Sequence, residues 1–420
     1  MWCKGLPMAA STAPYSPFTT TLSNGLRVAT QKTTNSAATV GLYVDAGSRF
    51  ETPDNHGIAN FVEHLMYKGK AAGAMAKVGG ELGAWTGREI TSYYARTSAA
   101  KAADAVGVLG GCLTNPTFSD VDMAAAQREV LMQMSAQDQD KEAVAMDYLH
   151  STAYQGTALA SPVLGPTSNV QQFTQADVST YLKNNFTGPR IVLAASGNVD
   201  HDALVKAAEK ALGSLSSEEG AHLVDPPRFT GSMVNFRDDE MPYCYAALGL
   251  QAVGASHPDY FALSVAAEMI GQWDHSFSFA DNRGSKLTSE LITVRVVLEF
   301  QLFQTITYTP SITGWLRIMC TACPEVYTER AKNTLKNNML LSLESSTAAA
   351  DDIGRQMLAY GRVMPQNEIV SRIDAVTTAE VQSVLVKYIY DQCPAVAVVG
   401  QTEAVPDYNR IRSGQFWLRV

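Results

Sequence analysis

The chain has 420 residues, 46% of them hydrophobic and 17% charged, which is material for two cores and excludes a disordered tether. Its 41 acidic against 32 basic side chains leave a formal charge of -9, which excludes a general nucleic-acid binder because neutralising phosphates needs a basic surplus. Six dispersed cysteines read as free thiols of a reducing compartment, and no run reaches the roughly eighteen apolar residues that suggest a bilayer span.

The first ten residues lack the repeated arginines of a mitochondrial presequence, so such a leader is expected to be absent or already removed. Residues 20–30 predict a hairpin, with Asn24-Gly25 as its turn and Leu26 and Val28 alternating on the return strand. A second strand is expected over 38–45. Residues 47–57 form a loop in which Asp54 or Asn55 is placed to cap the next helix. In that helix Ile58, Phe61, Val62, Leu65 and Met66 recur at i, i+3, i+4, i+7 and i+8, an apolar stripe that faces a core.

Further on, residues 93–96 read as strand and 99–113 as helix. Residues 119–137 read as a helix opened by the Ser119-x-x-Asp122 cap, and 200–213 as a third. The stretch 214–227, with Ser216-Ser-Glu-Glu-Gly220 and Pro226-Pro227, is the best linker in the chain. This divides it into lobes at 16–213 and 230–420, joined by a linker at 214–229.

An internal repeat gives the fold class. Thr174-Gln-Ala-Asp-Val178 returns as Thr377-Thr-Ala-Glu-Val381, and at the same offset Leu182 matches Leu385, Phe186 matches Ile389 and Gly197 matches Gly400. Pro53-Asp54 is echoed by Pro258-Asp259, and Glu63 by Glu268. The expectation is α+β: two homologous lobes, each a mainly antiparallel sheet with helices on one face. In the second copy Val265 and Met269 stand where the first has Asn60 and His64, so no second metal site is expected there.

The stretch Gly57-Ile-Ala-Asn60-Phe-Val-Glu63-His64-Leu-Met-Tyr-Lys-Gly69 would be an inverted zinc motif, H-x-x-E-H, if Asn60 were histidine. A catalytic zinc needs three protein ligands, an open place for water and a carboxylate to take the water's proton. Asparagine is a poor zinc ligand beside imidazole. Elsewhere Cys320-Thr-Ala-Cys323 has no second pair and reads as two buried thiols beside a strand at 315–319. Gly79-Gly80 and Gly110-Gly111 read as turn or packing glycines, and His150 and His257 as structural.

Residues 57–69, followed by Gly83-Ala-Trp-Thr-Gly-Arg-Glu-Ile-Thr-Ser-Tyr-Tyr94, resemble the pitrilysin-type metallopeptidase family that includes the mitochondrial processing peptidase. The resemblance implies a first ligand at Asn60, a second at His64 and the general base at Glu63. The third ligand is a glutamate closing the pattern E-R-D-V-I-L-R-E, here Gln127-Arg-Glu-Val-Leu-Met-Gln-Met134, which puts Met134 in its place. Asn60, His64 and Met134 are therefore degenerate metal-site positions, Glu63 is a relic base, and no bound metal is expected. His56 lies eight residues before His64, about 12 Å along a helix, and Glu129 is roughly 140° around the helix from Met134. Glu142 is more than two turns on. None is a natural substitute.

In the C-terminal half, Ile270-Gly-Gln-Trp-Asp-His-Ser-Phe, Asp352-Ile-Gly-Arg-Gln-Met-Leu-Ala-Tyr-Gly-Arg362, Lys387-Tyr-Ile-Tyr-Asp-Gln-Cys-Pro394 and the ending 406–420 resemble the branch of this family formed by β-type processing subunits and the core proteins of respiratory complex III. Two departures stand out: 276–284 holds little glycine, and 68–81 is short. The resemblance implies a non-catalytic scaffold or assembly subunit of ubiquinol–cytochrome c reductase, peripheral on the matrix side of the mitochondrial inner membrane. Its implied partners are a second core protein, cytochrome b, a c-type cytochrome and a Rieske subunit. Haem and iron–sulfur centres then belong to those partners and no cofactor to this chain. The alternative is a β-type processing subunit that retains presequence cleavage or peptide binding. The aromatic and arginine residues of 406–420 suit an interface.

Overall fold

The computed structural model describes residues 17–67, 70–114, 118–218, 220, 226–241, 243–270, 296–298, 301–306, 320, 323–403 and 405–415. The strand expected at 315–319 and the glycine-poor stretch 276–284 lie outside the described residues.

The first lobe carries strands β1 (Phe18–Thr21), β2 (Arg27–Lys32), β3 (Ala37–Val44), β4 (Glu81–Thr86), β5 (Thr91–Ser98) and β6 (Ile191–Gly197). Its helices are α1 (Ile58–Tyr67), α2 (Lys70–Val78), α3 (Ala102–Thr114), α4 (Asp120–Gln137), α5 (Lys141–Ala153), α6 (Thr167–Gln172), α7 (Gln175–Asn185) and α8 (His201–Leu212). The second carries β7 (Met233–Arg237), β8 (Cys244–Gln251), β9 (Val296–Leu298), β10 (Gln301–Ile306) and β11 (Ala395–Gly400). Its helices are α9 (Tyr260–Ile270), α10 (Glu325–Ser342), α11 (Ser346–Tyr360), α12 (Gln366–Ala375), α13 (Thr378–Tyr388) and α14 (Tyr408–Ser413).

Local chemistry sets several of these boundaries. The β1–β2 hairpin pairs Phe18 with Thr30 through Thr21 with Arg27, and its turn runs through Gly25 at φ 85°, where a side chain would be strained. Helices α4, α7 and α13 open on reciprocal capping boxes, Ser119 with Asp122, Thr174 with Asp177 and Thr377 with Glu380. The last two are the repeated segment.

The sheets repeat as well. The first has the order β1-β2-β6-β3-β5-β4 and the second β7-β11-β8-β10-β9, the same order without an equivalent of β1 among the described residues. In each the first repeated pair, β2 with β6 and β7 with β11, is parallel, and the remaining pairs are antiparallel.

Each lobe's own helices cover one face of its sheet. Val40, Leu42 and Val44 of β3 and Leu193 and Ala195 of β6 meet Ile58, Phe61, Val62 and Leu65 of α1 in one core, and Leu248, Val396 and Val398 meet α9 in the other. Because strand side chains alternate, the intervening residues face the opposite side. Most of them are apolar too, with Thr39 and Ser196 as buried polar exceptions. Ala29, Tyr43, Val192 and Ala194 of the first sheet bury against Ile353 and Met357 of α11, a helix of the second lobe. Reciprocally, Leu149 and Ala153 of α5 bury against Ala247, Ala395 and Ala397 of the second sheet. The lobes thus exchange a helix, which the repeat alone does not disclose.

Candidate functional site

The approach to α1 is built by a buried carboxylate. Glu51 accepts hydrogen bonds from the Gly57 and Ala59 amides at 2.8 and 2.7 Å, satisfying donors that a helix start leaves open. Asp54 and Asn55 do not cap this helix, contrary to the sequence reading. Asn55 instead closes a short 3-10 turn with Thr52. The chain can turn here because Gly57 sits at φ 96° directly against Gly165, leaving no room for a side chain. Burial pushes the Glu51 carboxyl up to about 8, against the pull of the two amides.

One turn later the helix presents Asn60, Glu63 and His64. Asn60 is 2% exposed and its Oδ1 has no hydrogen-bond partner, so the carboxamide is enclosed on the core side of α1. Glu63 is half-buried, and burial raises its carboxyl, opposed by Thr86 on β4 and by neighbouring His64. His64 turns to α4. Its Nε2–H donates to Gln133 Oε1 at 2.8 Å, and its Nδ1 lies 3.5 Å from Glu129 Oε2.

Met134, at the implied third-ligand position, is half-buried and packs against the first lobe's core. The structure therefore brings His64 to Glu129 and Gln133, one turn apart on a single face of α4. Sequence reasoning set Glu129 aside because it is far around the helix from Met134, and it did not consider Gln133. The signal available was their i, i+4 spacing. Among the described residues, no group of three or more His, Cys, Asp or Glu comes together to hold a metal ion.

The second lobe joins the equivalent two helices through a different residue. Glu268 of α9 accepts from Asn338 Nδ2 of α10 at 3.3 Å, and burial raises its carboxyl. Val265 and Met269, at the positions of Asn60 and His64, are core residues. Near the first-lobe site the lobes touch, with the Arg355 guanidinium of α11 stacked 4.8 Å from the ring of Trp85 on β4.

Elsewhere Cys320 is buried, its thiol pushed up to about 12 by burial, and Cys323 contacts Met269 Sδ at 3.6 Å. Both are free thiols. The described part of the C-terminal segment lies on its own lobe, with Ile411 in the core. His150 is half-buried, and its imidazole is depressed to about 4 by desolvation and by Arg88.

Duplicated sheets that exchange helices, with a carboxylate–histidine pair on the first lobe's leading helix, define a two-lobed protein of the metallopeptidase type. The chain belongs to the M16 (insulinase) peptidase family: residues 27–167 match the model described as Insulinase (Peptidase family M16), and 172–346 match the Peptidase M16 inactive domain. It is 40% identical to the β subunit of the mitochondrial-processing peptidase of Bos taurus, over 95% of this chain and 87% of that one. It is 37% identical to human cytochrome b-c1 complex subunit 1, over 95% and 89%. A solved structure, complex III2 from Candida albicans with Inz-5 bound, contains a chain similar at a TM-score of 0.86 and 26% identity, covering 95% of this chain and all of that one.

Proposed function

We propose that the chain is a non-catalytic core subunit of mitochondrial ubiquinol–cytochrome c reductase, peripheral on the matrix side of the inner membrane. In this reading it pairs with a second core protein beneath cytochrome b, the c-type cytochrome and the Rieske subunit, which carry the haem and iron–sulfur centres. The likeness to complex III subunits over almost the whole chain supports it. No described helix is long and apolar enough to cross a membrane, which agrees with a peripheral place.

The observation that carries the non-catalytic reading is the donor set around His64. A zinc held as in the family would find a carboxamide enclosed at Asn60, a half-buried thioether at Met134 and an imidazole already spanning Gln133 and Glu129. These residues do not fit the ion, since a thioether is a soft donor at a place that needs an anionic oxygen. Purification from detergent-solubilised inner membranes tests the reading. The chain is expected to travel with the cytochromes and to hold no stoichiometric zinc of its own; a free matrix protein with one tight zinc would overturn it.

The similar identity to the processing-peptidase β subunit, with Glu63 kept, favours one rival: a chain that still takes part in presequence cleavage. Glu63→Gln in the purified heterodimer separates the two. Cleavage of a synthetic presequence that is unchanged by the substitution removes this chain from catalysis.

A further inference from the structure

We infer that the two lobes are a single folding unit, locked at a fixed angle by their exchanged helices, so that neither reaches its fold without the other and the lobes do not rotate against each other. The inference goes beyond the function proposed above and does not depend on it.

Three contacts pin α11 to the first sheet along its length. At its start the Ser346 and Thr347 hydroxyls lie 3.0 and 3.2 Å from Thr39 Oγ1. In its middle Gly354 lies under the Tyr43 ring so closely that a Cβ would run into it. At its end Arg27 of β2 donates to the Met357 carbonyl at 2.8 Å, joining the amide of Gly361, whose left-handed φ of 69° ends the helix. A cation at this place also meets the negative end of the helix dipole.

The reciprocal contact is made of different parts. The small residues Ala247, Ala395 and Ala397 leave a shallow floor on which Leu149 and Ala153 of α5 lie. The Thr230 amide donates to the Ala153 carbonyl at 2.7 Å, and Tyr154 meets Phe229 edge to face at 6.2 Å.

Separating the lobes strips a helix from each sheet at once. The first sheet would expose Ala29, Tyr43, Val192 and Ala194 to water, and the second Ala247, Ala395 and Ala397. Both faces of the inner strands are mostly apolar, so an isolated sheet has no face well suited to solvent. The long-range cross-contacts are therefore a condition of each lobe's core, and partial unfolding of one lobe propagates to the other.

The test uses the full chain. Hydrogen exchange of β3 and β8 is followed through a urea titration, for the native sequence and for Val265→Ala, a change in the second lobe's core away from the exchanged faces. The inference expects β3 and β8 amides to become labile at one urea concentration, and Val265→Ala to lower both midpoints by the same amount. A shift confined to β8, with β3 unchanged, overturns it. A second measurement does not depend on any variant of the core. A protease site placed after exposed Glu218 allows the folded chain to be nicked, and the halves are expected to stay together on size exclusion and to unfold in one transition. Halves that separate in buffer, each still folded, overturn the inference.

Discussion

Helices α1 and α9 hold equivalent places in two lobes of the same strand order, yet they are stabilised by different means. Helix α1 is built around bulk and polarity: Phe61 in the core, Asn60 enclosed beside it, and Glu51 buried at the start. At the same positions α9 has Ala266, Val265 and, before it, Ser256, and its approach is fastened at the surface by Asp259 to Lys387 and Tyr388 at 2.8 and 2.7 Å. The second lobe shows what this helix needs for architecture alone. Whatever α1 has in addition is either compensation for its larger side chains or inheritance from a site.

Phe61 falls under compensation and carries the largest expected effect. Its ring is fully buried, 5.2 Å from Phe173, where the second lobe has Ala266 and Val376 as core residues. Phe61→Ala should cost about 3–5 kcal/mol, read as a lower urea midpoint, because the cavity has a rigid aromatic on its far side. A loss under about 1 kcal/mol would mean that the first lobe collapses to the alanine-lined packing of the second.

Glu51 comes next, and it is read through pH. An unfolded glutamate titrates at about 4.3, and the folded carboxyl at about 8, so the native state binds the extra proton between them. The stability tied to that proton is complete below the unfolded value and is lost as pH rises through the folded one. Thermal unfolding should therefore shift to lower temperature from about pH 5 to about pH 9. Glu51→Gln, which keeps an acceptor for one of the two amides, should flatten that slope. A slope that survives the substitution would place its origin in another buried carboxyl, such as Asp352 or Glu268, both raised by burial.

What could be read in the sequence follows how local its causes are. The Asn24-Gly25 hairpin and the Ser119 cap are set within four residues, and each stands where it was expected, while the repeated segments at Thr174 and Thr377 prove to be capping boxes of equally local cause. The cap of α1 was misassigned because Glu51 reaches across six to eight residues, and an Asp-Asn pair closer to the helix looked better placed. The exchange of α5 and α11 was invisible for a related reason. A strand apolar on both faces signals that something covers each face, but not that the cover on β3 comes from a helix 307 residues further along the chain. At the site, the motif located Asn60, Glu63 and His64 on one helix, while the turn of His64 toward Glu129 and Gln133 depends on how α1 lies against α4.

Asn60 tests inheritance. Its Oδ1 is buried without a partner, a state that costs about 1–3 kcal/mol relative to a satisfied group, and the second lobe has valine of similar volume at that place. Asn60→Val should therefore be neutral or raise stability, by about 1 kcal/mol, in the same urea assay. A clear loss would show that the carboxamide has work to do, which would favour a surviving role for the site.

The smallest expected effect separates a relic from a replacement at His64. The imidazole bridges α1 and α4 through Gln133 and Glu129, as the Glu268–Asn338 contact bridges α9 and α10 one position earlier on the helix. Both lobes therefore have a polar link between the same two helices, although only one of them has a histidine. If His64 has become such a link, its worth lies in the pair. In a double-mutant cycle with His64→Ala and Gln133→Ala, the coupling should be about 0.5–1 kcal/mol, the range of an ordinary hydrogen bond, and modest because both groups reach solvent. Coupling near zero would leave His64 with no structural task, and its retention beside Glu63 would then point back to peptide chemistry. A cycle that closes within the expected range ties the histidine to the same duty that Glu268 performs without a metal motif.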